Sequence, residues 1–270
     1  MITRTLTADK SGPAVIDLTL TGHGGTITVR AERDCDRATL TVRTADQSGP
    51  AADAVRQAAL RQDGAALRAD VQGAGTGCAT VITGGGTTIV QSAGTVTGSM
   101  TGLVIGAGDV IVNGYRVSGG GATVIAGSSP IEITAVVPKG STVIGRTQSA
   151  DITVTGTAKA ITADTQSGDV RADTVGHLIA DTQSGDVRIG QATDITAATM
   201  SGDVTVTDLS GTARVKTMSG DVRIHATGGG DVTTSTMSGD IDITATRAAI
   251  DRGLTVRTGT MSGRVRTPNR

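Results

Sequence analysis

The chain has 270 residues with no Phe, no Trp and a single Tyr, Tyr115, which excludes a thick core filled by aromatic rings. What remains is Val, Ile, Ala and Thr with 39 Gly, suited to a thin two-layer architecture of stacked β-branched side chains. A formal charge of −1 gives no basic footprint for nucleic acid and no cationic face for a membrane, so electrostatics name no partner.

The first ten residues lack an apolar run of signal-peptide length, and no stretch of about 18 or more apolar residues occurs anywhere. The expectation is a cytoplasmic protein with no membrane insertion. Residues 1–72 read as a β-rich N-terminal cap, with alternating strands at 14–20, 26–30, 38–43 and 67–71. After Gly49-Pro50 a short helix is predicted over 51–61, placing Val55, Ala59 and Leu60 on one side. Cys35 and Cys78 form no CxxC pairing and read as incidental thiols.

Residues 73–128 form a Gly/Thr/Val-rich insertion. Short apolar runs such as Val81-Ile82, Ile89-Val90, Leu103-Val-Ile105 and Val110-Ile-Val112 argue for irregular β coils or long hairpins rather than low-complexity disorder. Its glycine clusters at 73–77 and 84–86 are followed by neither Lys-Ser/Thr nor a helix, so no phosphate cradle is expected.

From 129 to 270 one hexapeptide recurs seven times, Thr-[Gln/Met]-Ser-[Gly/Ala]-[Asp/Arg]-[Val/Ile], with its serines at 149, 167, 184, 201, 219, 238 and 262. Most coils are therefore 17–19 residues long, and the last interval is 24. Fixed-period self-similarity of this kind marks a solenoid, in which each unit buries its apolar face only against its neighbours. The fold class is all-β, a single-stranded β-solenoid of β-helix-like coils behind the small cap, with right-handed winding the default for parallel crossovers.

Parity assigns the faces. After each Asp the pairs Val170 and Ala172, Val187 and Ile189, Val204 and Val206, Val222 and Ile224, and Ile241 and Ile243 point inward. Before each Ser, trios such as Ile161, Ala163, Thr165 and Leu178, Ala180, Thr182 do the same, and Asp164, Gln166, Asp181, Gln183, Lys216 and Met218 point out.

The residues Gly168-Asp169, Gly185-Asp186, Gly202-Asp203, Gly220-Asp221 and Gly239-Asp240 then fall at the corners. Glycine is expected to supply positive φ there, and the Ser and Asp side chains to accept hydrogen bonds from turn amides.

On these seven copies the chain resembles the DUF4097 proteins, bacterial β-strand-repeat proteins that often carry the label "putative adhesin". The resemblance is strong over 130–265 and loose over 1–72. It implies a β-solenoid and says almost nothing about activity. Ala150 and Arg264 depart from the motif, and both lie at the ends of the array, as capping coils should.

The Asp ladder could in principle hold calcium or supply a carboxylate-based glycosidase or lyase. Calcium-binding β-rolls need a Gly-Gly-x-Gly-x-Asp nonapeptide that is absent here. Catalysis needs carboxylates in unequal environments, whereas a repeated position offers identical ones. Arg171, Arg188 and Arg223 lie two residues beyond their Asp and offset a like-charge repulsion of about 0.9 kcal/mol per neighbouring pair in water. His23, His177 and His225 are isolated from one another. No enzyme activity, cofactor or metal is expected. The inward Thr row reads as a core ladder rather than an ice-binding face.

The position before each Ser reads Gln148, Gln166, Gln183, Met200, Met218, Met237 and Met261, all outward by parity. Stacked exposed Met marks a partner surface; alternatively another segment, such as the insertion, covers the row and makes it a second small core. Three functions are carried forward: a non-enzymatic scaffold that binds another protein or itself, an adhesin-like surface protein, and a carbohydrate-active enzyme of parallel β-helix type.

Overall fold

The computed structural model describes residues 1–22, 24–72 and 129–268, together with the backbone of 79–84, 87–92, 103–105, 110–112 and 115–117. His23, Cys78 and the glycine cluster at 73–77 lie outside the described residues. The protein is all-β, dominated by one sheet of 17 strands.

Each repeat makes two limbs that meet at the Ser-Gly-Asp corner. On the limb before the corner, hydrogen-bonded parallel pairing sets one apolar row in register, from Leu67 through Ile16, Val143, Ile161, Leu178, Ile195, Ala213 and Val232 to Val256. On the limb after it, a second row runs from Ile133 through Ile27, Ile152, Val170, Val187, Val204, Val222 and Ile241 to Val265. The pairing of each residue with its counterpart one repeat on is what a 17- to 19-residue period predicts.

The side chains that parity sent inward are buried from Thr147 to Ile243, including Thr165, Thr182, Thr199, Thr217 and Thr236, while Thr260 in the last coil is half-buried. The two limbs press closely on each other: a Cβ added to Gly145 on one limb would lie 2.9 Å from Ile152 Cδ1 on the other. The core is the thin seam between them.

Residues 1–72 share this sheet and this core. Strand Ile131–Pro138 lies between Gly25–Glu32, to which it is parallel, and Thr39–Thr44, to which it is antiparallel. Val15–Thr21 lies between Ala66–Gln72 and Thr142–Thr147 in the other row. Within 73–128, strands Ala79–Gly84, Thr87–Ser92 and Leu103–Ile105 form an antiparallel three-stranded sheet, and Val110–Val112 pairs with Tyr115–Val117.

The helix departs from expectation. It runs Pro50–Gln57 rather than 51–61, and it buries Ala51, Ala52, Ala54 and Val55. Ala59 and Leu60 belong instead to strand Ala59–Asp63, folded antiparallel onto Ala66–Gln72 by a tight turn at Gly64, φ +61°. The strand ladder outcompetes a further helical turn there. Strand Ile2–Thr7, antiparallel to Thr39–Thr44, was also not foreseen.

The long last interval is filled by a second helix, Arg247–Asp251, whose N-cap Thr246 accepts a hydrogen bond from the Ala249 amide. Among the described residues no helix is long and apolar enough to cross a membrane.

Candidate interaction surface

The corner is built from Thr, Gly and Asp, each with a separate task. In the first four coils the inward Thr caps its own turn: the amides of Ala150, Gly168, Gly185 and Gly202 donate to Oγ1 of Thr147, Thr165, Thr182 and Thr199 at 2.8–3.0 Å, whereas Thr236 and Thr260 donate to the Gly220 and Gly239 carbonyls one coil back. In those four turns the buried hydroxyl satisfies a donor that the sheet ladder cannot reach. The motif serines were expected to do this, but they contribute through the backbone, as where the Ser184 amide donates to the Gln166 carbonyl at 2.8 Å. The signal was present in the sequence as Thr-x-x-Gly, a hydroxyl three residues before the amide it caps.

Each Asp serves the next coil. Oδ1 of Asp151, Asp169, Asp186, Asp203, Asp221 and Asp240 accepts from the amides of Asp169, Asp186, Asp203, Asp221, Asp240 and Arg264 respectively, at 2.8–2.9 Å. Oδ2 faces the arginines. Arg171, Arg188 and Arg223 lie 2.6–2.7 Å from Asp169, Asp186 and Asp221, and also within 3.4–3.9 Å of the Asp one coil back. With one oxygen committed to an amide and the other to guanidinium in most coils, the ladder is a bracket between turns. Among the described residues no three His, Cys, Asp or Glu side chains are arranged to hold a metal ion.

Gly is needed for a reason other than the expected one. Gly168, Gly185, Gly202 and Gly220 do not adopt the left-handed φ that the turn was expected to require. A Cβ on each would instead lie 1.9–2.2 Å from the carbonyl oxygen of the equivalent residue one coil back. Among the described corner glycines, Gly239, at φ +152°, and Gly263, at +151°, combine this crowding with a positive φ; away from the corners Gly156 and Gly230 do so too.

The position before Ser lies just past the last inward residue of the limb and so projects outward. Register stacks Thr199 on Thr217, Thr217 on Thr236 and Thr236 on Thr260, which carries Met200, Met218, Met237 and Met261 into one row. Their exposures are 50%, 46%, 51% and 83%. Gln166 and Gln183 continue the row, exposed, and Gln148 at its end accepts from the Gly22 amide at 2.9 Å.

A groove of about 470 Å³ runs beside the row, with Asp181, Ala198, Lys216 and Ser235 along it. The sequence reading did not single out Ala198 or Ile179, although the alternation that turns Asp181 outward turns them outward too. Ile179 is 55% exposed.

Neither His177 nor His225 lines this groove. His177 Nδ1 lies 3.0 Å from Asp194, and His225 Nδ1 lies 2.8 Å from Thr244 Oγ1.

The family model described as Toastrack DUF4097 matches residues 112–270. No curated protein matches the chain. Among solved structures, a "putative adhesin" from Bacteroides fragilis is 13% identical, over 99% of this chain and 97% of that one, with a TM-score of 0.46. A second "putative adhesin", from Parabacteroides distasonis, is 11% identical over 98% and 96%, with a TM-score of 0.36. A third, from Parabacteroides merdae, is 11% identical over 100% and 96%, with a TM-score of 0.32.

Proposed function

The chain belongs to the Toastrack DUF4097 family, whose model spans more than half of it, and from that premise we propose that it is a non-enzymatic scaffold whose repetitive surface makes protein–protein contacts. The observation that carries this reading is the row of exposed Met200, Met218, Met237 and Met261 at coil spacing. Met is polarizable and adaptable, and a contiguous apolar stripe with Arg214 and Lys216 at its border has the composition of a contact core with a polar rim. An enzymatic reading finds little support in the Asp ladder, because its carboxylates repeat one bracketing arrangement. An adhesin-like surface protein is the same contact made outside the cell, and the names carried by its structural neighbours suggest it; fractionation of the native host separates the two.

The test is Met218→Lys combined with Met237→Lys. The expected outcome is an unchanged circular dichroism spectrum with association lost in light scattering or pull-down. A double variant that unfolds would mean that the row is a covered core.

A further inference from the structure

The outward face after the corner pairs its repeated Asp with Arg, whereas the face before it pairs some of its charges, as in Arg146 with Asp17 and His177 with Asp194, and not others. After the corner, Asp169, Asp186 and Asp221 are each paired with an arginine of the same coil. Before the corner, Asp164, Asp181, Arg214 and Lys216 are all exposed, and none makes an ion pair among the described residues. Among these four the acids lie on the coils before Ala198 and the bases on the coil after it; Arg146, in the same row as Asp164, is engaged by Asp17, and Asp231, on a later coil, lies near Arg257.

Register makes the sorting exact in sequence terms: Asp181 pairs with Ala198, and Ala198 with Lys216. In steps of about 4.8 Å the row reads carboxylate, methyl, ammonium. The rows on either side run Gln183, Met200, Met218 and Ile179, Thr196, Arg214. The middle row is complementary to its own reversal, which is the requirement for a two-fold interface in which one patch serves both partners; the flanking rows then set Met218 against Gln183 and Arg214 against Ile179.

The geometry points to a second copy of this chain as the occupant of this face. Two stacks meet face to face and antiparallel, related by a two-fold axis along the strand of Thr196, Ala198 and Met200. Asp181 of each copy then meets Lys216 of the other, Met200 meets its counterpart, and Gln183 lies against Met218. Ala198, with a single methyl group on the axis, lets the sheets approach. A parallel arrangement would set acid against acid and base against base.

Seven strands, three on each side of the axis from Thr142–Thr147 to Thr255–Ser262, at about 4.8 Å and six residues at about 3.3 Å offer roughly 665 Å² per copy, about 1,330 Å² in all, near the lower bound for a specific interface. The proposal rests on the reading of the Met row as a contact surface and adds to it the identity and orientation of the partner.

The experiment is sedimentation of the full chain with charge reversals. The expected result is a dimer that Asp181→Lys or Lys216→Asp each weakens by at least about tenfold, and that the two together in one chain restore. In a Cys35→Ser, Cys78→Ser background, Ala198→Cys is expected to give a covalent dimer on mild oxidation, since a residue on the axis meets itself. A chain that stays monomeric to about 100 μM, or single reversals that the double variant does not rescue, would overturn the proposal. A dimer weakened by Met218→Lys but indifferent to both reversals would also overturn the antiparallel pairing, while leaving the Met row a contact surface.

Discussion

Gly202 has no room for a side chain. A methyl group on its Cα would lie 2.0 Å from the Gly185 carbonyl oxygen, whose peptide is held by the Asp186 amide donating to Asp169 Oδ1, and 3.0 Å from Thr199 Oγ1, which accepts from the Gly202 amide. Gly202→Ala and Gly202→Val are therefore both expected to lower stability by more than about 1 kcal/mol, because backbone rather than a flexible side chain must move. Gly259→Ala is the control: its Cβ would meet nothing within 4 Å, and it is expected to cost less than about 0.5 kcal/mol or to stabilise. Urea midpoints check both, and equal midpoints for the wild type and Gly202→Ala would remove the close-approach argument. Which residues face inward was legible from alternation alone. Why the corner demands glycine was not, since the obstructing oxygen belongs to a residue 17 positions earlier and no local pattern reports the distance between coils.

Among the elements, those that repeat were readable and those that occur once were less so. The hairpin of Ala59–Asp63 with Ala66–Gln72 turns on the two-residue loop Gly64-Ala65, with glycine at the first loop position, a recognised hairpin signal. The helical spacing of the preceding alanines masked it, because Ala, Leu, Arg and Gln favour a helix wherever tertiary pairing does not intervene. The same competition explains why the helix stops at Gln57. Gly64 has open space around it but φ +61°, so conformation alone restricts it. Gly64→Ala is expected to cost about 1 kcal/mol and Gly64→Asn clearly less, since Asn tolerates the left-handed region. Thermal unfolding of the two variants decides this, and an Asn variant as unstable as the Ala variant would point to a steric cause. The second helix was visible only as a lengthened interval between Ser238 and Ser262, which signals an insertion without stating its form.

At the scale of the molecule the two ends of the stack differ. The N-terminal end is closed by the antiparallel strands Ile2–Thr7 and Ala59–Asp63 and by the helix Pro50–Gln57. Strand Ile131–Pro138 is threaded between Gly25–Glu32 and Thr39–Thr44, so the first coils cannot separate from the beginning of the chain without breaking that sheet. The C-terminal end narrows to the two-residue strand Val265–Arg266, with Val265 exposed. Arg264 and Arg266 stand there, and charge of this kind discourages another strand from adding to the edge. In a stack where each coil is held only by its neighbours, stability is a sum of nearest-neighbour contacts, so a coil with one neighbour opens more readily than a coil with two. Hydrogen exchange is expected to rank the amides accordingly, with Val187–Thr199 among the slowest and Thr255–Ser262 exchanging well before the global unfolding limit. Uniform protection from Val170 to Val265 would mean that the stack opens as one cooperative unit, and that the last coil is held by something beyond its single hydrogen-bonded neighbour.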